Sequence, residues 1–214
     1  MIGLIYKDIM ALKKQLSILI VFIFVYGGLC LVGAFDFSIL GALIAVFGLT
    51  VPVSSVTLDE AARWDRYAAA TPAGRRGVVA GKYLFTLLII FLGCAVALGL
   101  MVILSLVGLT KALPLDLVWT ALACAGLTLA IDAVILPFLL KYGAEKARII
   151  SMITFVLIFG GAVLFTGLAK DGIPLPQPPA WLLTVSPVLF GLVCIGGFVI
   201  SYFISQGIYA KKEF

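Results

Sequence analysis

The chain has 214 residues, of which 64% are hydrophobic and 12% charged, and its mean hydropathy is +1.25. Soluble domains run at about 45–50% apolar and ~25% charged, so this composition excludes a water-soluble body and points to an integral membrane protein. The net charge is +5, and the absence of His removes the usual metal ligand and the usual base near neutral pH.

Residues 1–15, MIGLIYKDIMALKKQ, place Ile2, Ile5, Ile9 and Leu12 on one helical face, with Lys7, Asp8 and Lys14 elsewhere. This pattern predicts an amphipathic helix lying along the inner membrane surface. Roughly 20 apolar residues cross a ~30 Å hydrocarbon layer. Six runs qualify, at about 16–34, 38–57, 83–109, 117–140, 149–169 and 183–206. The first follows Lys13 and Lys14 but has no small-x-small cleavage site before Asp36, so it reads as a retained span. Cys30, Cys94, Cys124 and Cys194 lie inside apolar runs without CxxC spacing and suggest neither a zinc site nor a disulfide framework. The fold class expected is therefore all-α integral membrane, one domain over 1–214 with six transmembrane helices.

Orientation follows from the basic residues. With both termini in the cytoplasm, the inner side holds Lys7, Lys13, Lys14, Arg63, Arg66, Arg75, Arg76, Lys82, Lys141, Lys146, Arg148, Lys211 and Lys212, and the outer side only Lys111 and Lys170. The positive charge is thus a topology signal before it is a signal for nucleic acid. The outer loop before the last span carries Pro174, Pro176, Pro178 and Pro179, which make it stiff, and Trp181 follows at the interface.

Segment 58–82 concentrates Asp59, Glu60, Arg63, Asp65, Arg66, Arg75, Arg76 and Lys82 between two apolar runs. Leu58 to Ala70 has a two-faced helical pattern. Ala61, Trp64, Tyr67 and Ala68 fall on one side; Asp59, Arg63 and Arg66 fall on another. Asp59 and Arg63 have the i,i+4 acid-to-base spacing of a helical ion pair. Thr71 and Pro72 then fit the N-cap and first position of a new helix. Topology alone explains the basic residues. It does not explain the interleaved acids or the aromatic face, which suit docking of another protein. GVVAGKY is not a phosphate-binding loop: its first Gly would have to be residue 76, which is Arg, and Tyr83 stands where Ser or Thr holds magnesium.

Asp132 is the one charged residue deep in a span, a polar point in a translocation path or a neutral carboxyl between helices near Pro137. KYGAEKAR, Lys141 to Arg148, is a tight inner loop in which Gly143 supplies the turn and Lys141, Lys146 and Arg148 can meet lipid phosphates or a partner's acids. Gly93, Gly99, Ala95 and Ala97 offer small-residue contacts between helices.

These features together resemble the ABC-2 type exporter permeases, and more closely the small bacterial subfamily of phenol-soluble-modulin and lantibiotic-type peptide exporter permeases. The resemblance rests on LIYKDIMALKK at the start and on Asp59, Glu60, Arg63, Trp64, Asp65, Tyr67, Pro72, Arg75 and Arg76. It extends to Lys82 and Tyr83 at the third span and to Tyr142, Gly143, Lys146 and Arg148 in the inner loop. Thr71 departs from the commoner Leu-Pro or Ser-Leu-Pro. The resemblance implies that segment 58–82 is a cytoplasmic coupling helix between the second and third spans. Asp59, Glu60, Arg63, Trp64, Asp65, Arg66 and Tyr67 would then dock on a separate ATPase subunit. It implies two ATPases, a second permease chain, no cofactor in this chain, and ATP and Mg in the partner. It also implies a multi-pass protein of the bacterial cell membrane that moves an amphipathic peptide or lipid-like substrate outward by alternating access. Two other classes remain open: an ion-coupled secondary transporter using Asp132, and a non-transporting immunity or sensor subunit.

Overall fold

The computed structural model describes residues 2–32, 38–64, 67, 74–106, 114–170 and 180–211. Seven helices account for nearly all of them: α1 (Ile2–Ala11), α2 (Lys13–Leu31), α3 (Ser38–Ala61), α4 (Gly74–Leu106), α5 (Pro114–Tyr142), α6 (Ala144–Lys170) and α7 (Ala180–Ala210). No strand occurs among the described residues. This follows from the medium: with no water to satisfy peptide groups, an apolar segment in lipid must close its hydrogen bonds within itself. The helices' own hydroxyls follow the same rule. Thr50, Ser54 and Thr57 on α3 donate to the carbonyls of Val46, Thr50 and Val53, one turn back.

Among the described residues, five helices are long and apolar enough to cross a membrane: Lys13–Leu31, Leu40–Ala61, Gly74–Ile103, Leu115–Tyr142 and Val185–Ala210. They match five of the six expected runs. The run 149–169 falls within α6, which is helical over 27 residues but is not one of the five. The largest departure is at α4. Its helix begins at Gly74 and runs for 33 residues, about 50 Å at 1.5 Å per residue. It therefore outreaches a ~30 Å hydrocarbon layer and carries Arg75, Arg76 and Lys82 on its first turns. Thr71 and Pro72, the expected start, lie outside the described residues.

α3, α4, α5 and α7 form the inner bundle, with α5 central to it. Close crossings depend on two glycines. A Cβ at Gly48 of α3 would stand 2.3 Å from Thr128 Cγ2 on α5, and one at Gly126 of α5 would stand 2.7 Å from Phe190 Cε1 on α7. The small residues singled out on α4 do less: a Cβ at Gly93 would make only ordinary contact with Ile44, and one at Gly99 would meet nothing. α2 leans on α3 and α1 and leaves Ile18, Val21, Phe24 and Val25 exposed.

α1 packs chiefly on α4. Leu12 is buried with Val51, Phe85 and Ile89, and Ile5 and Ile9 pack against the same cluster. The apolar face expected to rest on the membrane is thus covered by α3 and α4, while Tyr6 and Met10 remain exposed.

Candidate functional site: a charged hub at the basic end

Four links gather helix ends at one end of the bundle. Lys7 meets Asp59, Asp8 meets Lys82, Glu60 meets the first residue of α6, and Arg75 donates to the carbonyl of Ala210 at the end of α7 (2.6 Å). The first two links belong to a buried cluster. Lys82 Nζ donates to both carboxylate oxygens of Asp8 at 3.0 Å and to Ser55 Oγ at 2.5 Å, and lies 2.6 Å from Asp59 Oδ2. Lys7 Nζ bridges Asp59 Oδ1 at 2.5 Å and Asp8 Oδ1 at 3.1 Å, and sits 4.7 Å from the centre of the Trp64 ring. Asp8, Asp59 and Lys82 are each less than a tenth exposed. Burying such charges is costly in itself, so the cluster holds because two cations face two anions and the ammonium of Lys82 finds a partner for every proton.

Glu60 makes the second junction. Its Oε2 accepts the backbone N–H of Ala144 at 2.9 Å, placing a carboxylate on the N-terminus of α6, where free amides favour negative charge. Gly143 permits this contact in two ways. Its φ is +82°, and a Cβ there would lie 2.5 Å from Glu60 Oε1. The segment after α3 and the loop Tyr142–Arg148, far apart in sequence, are therefore one structural unit.

The expected docking residues divide by this geometry. Asp59 and Glu60 face inward, held as described. Trp64 also turns inward, packed beside a cluster that includes Val56, Val78, Val79 and Ala147, and its indole N–H has no partner among the described residues. Arg63 and Tyr67 are exposed, Tyr67 by 68%. Asp65 and Arg66 lie outside the described residues. The Asp59–Arg63 pair is not formed, because α3 stops at Ala61. The N–H of Arg63 bonds to Glu60 O at 3.0 Å in a turn, and its φ of +49° takes it off the helical face. Tyr142 and Lys146 are exposed beside this turn, and Tyr142 stacks on Phe138 with Lys141 over its ring. The side chain of Arg148 lies outside the described residues.

Sequence reasoning missed Asp8, Lys7 and Ser55 and assigned Lys82 to topology. A signal was present: Lys82 interrupts the apolar run VVAGKYLF, and an ionisable group there calls for a buried counter-charge.

Asp132 is wholly buried in α5, and neither carboxylate oxygen has a partner among the described residues. Tyr83 of α4 ties to α7, its hydroxyl meeting both Ser201 Oγ and Ser205 Oγ at 2.7 Å.

Five long apolar helices closed by a buried ionic hub define a multi-pass membrane protein. The chain belongs to the ABC-2 family of transporter proteins, whose family model matches residues 3–210. It is a membrane permease subunit of an ABC transporter, a class that works with an ABC ATPase subunit and is not itself the ATPase. Comparison with curated proteins and with solved structures gave no match.

Proposed function

We propose that this chain is the permease of an ATP-driven exporter and that segment 58–82 couples it to the ATPase. The observation that carries the reading is the hub. The end of α3 is joined by charge to α1 and α4 through Asp59, and to the start of α6 through Glu60. A force applied to the exposed turn after α3 reaches four helices without crossing solvent. Docking needs an aromatic anchor and charges that fix register. In this reading Tyr67 and Arg63, with Asp65 and Arg66, meet the ATPase, while Asp59, Glu60 and Trp64 root the turn in the bundle. Tyr142, Lys146 and Arg148 flank it.

The proposal includes α6 as a sixth span. α6 starts at the hub, α7 ends there at Ala210, and a 27-residue helix rises about 40 Å. Both termini then lie on the cytoplasmic side of the bacterial cell membrane. Two permeases and two ATPases form the transporter, with ATP and Mg in the ATPases. Closure of the ATPases turns a cavity between the permeases from the inner to the outer side. The apolar surfaces of α2 and α7 suit an amphipathic peptide or lipid-like substrate and a second permease.

The test is co-purification and stimulation. Wild-type chain should retain its ABC ATPase subunit in mild detergent and, in sealed vesicles, drive ATP-dependent movement of an amphipathic peptide. Failure of the wild type to retain any ATPase would remove the reading. The orphaned carboxyl of Asp132 favours one second reading, ion-coupled transport, in which an imposed ion gradient moves substrate without ATPase and Asp132→Asn abolishes the flux.

A further inference from the structure

At the basic end, α5 and α7 part to leave a pocket of about 480 Å³ lined by Lys141, Ile204, Gly207, Ile208 and Lys211. That volume falls within the ~300–1,000 Å³ typical of small-ligand sites. On α7 the lining residues recur three and four apart and so share one face. The pocket changes character with depth. Lys141 is in the last turn of α5 and Lys211 follows the end of α7, whereas Ile208 and Ile204 lie about one and two turns back along α7, toward its apolar span, with Ile204 52% exposed. Gly207 keeps the space open, since a Cβ there would meet nothing within 4 Å.

The two lysines differ from Lys7 and Lys82. Both are exposed, and neither makes an ion pair among the described residues. Lys141 Nζ is held 4.8 Å above the ring of Tyr142, at the mouth of the pocket. Two exposed cations outside the ion pairs of the hub on the water side and an isoleucine wall on the membrane side complement a molecule with an anionic head and an apolar tail. Basic pockets between membrane helices bind phospholipid headgroups on this principle.

We infer that this pocket binds one anionic phospholipid, its phosphate between Lys141 and Lys211 and an acyl chain along Ile204 and Ile208. A free phosphate ion would leave the isoleucine wall unused. The inference does not depend on the transport reading. It needs only that the ends of Leu115–Tyr142 and Val185–Ala210 lie at a membrane boundary.

Native mass spectrometry of the purified full chain, titrated with phosphatidylglycerol or phosphatidylcholine, tests it. Wild type should hold one phosphatidylglycerol saturably and in preference to phosphatidylcholine, and millimolar inorganic phosphate should not displace it. The double variant Lys141→Gln/Lys211→Gln should weaken retention at least about tenfold. Gly207→Leu should do the same by filling the pocket, with no loss of thermal stability, since it adds a good helix former in open space. Equal retention of the two lipids, displacement by phosphate, or undiminished retention by both variants would overturn the site.

Discussion

Single residues carry unusual weight at the hub because each satisfies several partners. Lys82→Met would leave Asp8 and Asp59 facing each other with only Lys7 between them. Removing one member of a buried ionic group costs about 3–5 kcal/mol, so the variant should melt well below wild type in detergent. Asp8→Leu added to Lys82→Met restores the balance of Lys7 with Asp59 and should recover more than half of the loss. Strict additivity of the two substitutions would show that these charges are not coupled. Gly143→Ala meets two obstacles, the left-handed backbone and the Glu60 carboxylate. We expect a loss of about 1–3 kcal/mol, read as a lower melting temperature. In a Glu60→Ala background, which already lacks the cap on α6, the steric part is gone and Gly143→Ala should cost only the backbone part, about 1 kcal/mol.

Elements show where sequence reading succeeds and where it stops. Hydropathy marked the spans because each is a local property of some 20 consecutive residues. The hub is not local: Lys7 and Asp59 are 52 positions apart, and Asp8 and Lys82 are 74 apart. Helical periodicity also misled at the turn after α3. It put Trp64 and Tyr67 on one face and Asp59 and Arg63 on another, but α3 ends at Ala61 and the side chains diverge, Trp64 inward and Tyr67 outward. The docking reading can be tested at this turn without disturbing the fold. Tyr67→Ala should lower ATPase retention and stimulation while the melting temperature stays within a degree or two of wild type. Arg63→Gly removes the guanidinium while easing a left-handed position that costs a non-glycine residue roughly 1 kcal/mol. It should be no less stable than wild type yet couple more weakly; full stimulation in both variants would move the docking surface elsewhere.

At the scale of the whole molecule, the chain gathers most of its basic residues at one end, and among the described residues it leaves one buried carboxyl without a partner, Asp132, inside the bundle. If that carboxyl is a neutral group between helices, Asp132→Asn should be nearly isosteric and preserve both stability and ATP-driven transport. Loss of gradient-driven flux with intact ATPase stimulation would instead favour ion coupling. The long-range pairing of the hub also sets an order of assembly. Residues 7 and 8 leave the ribosome well before residue 82, so α1 reaches the membrane with an acid and a base whose buried partners do not yet exist. Until α4 has inserted, Asp8 has no Lys82 and belongs in water. The first helix made therefore locks only after α4 has inserted, and its closure reports that the ends of α3 and α4 have arrived in register. A released chain truncated at residue 70 should leave α1 open to protease, and one truncated at residue 106 should protect it.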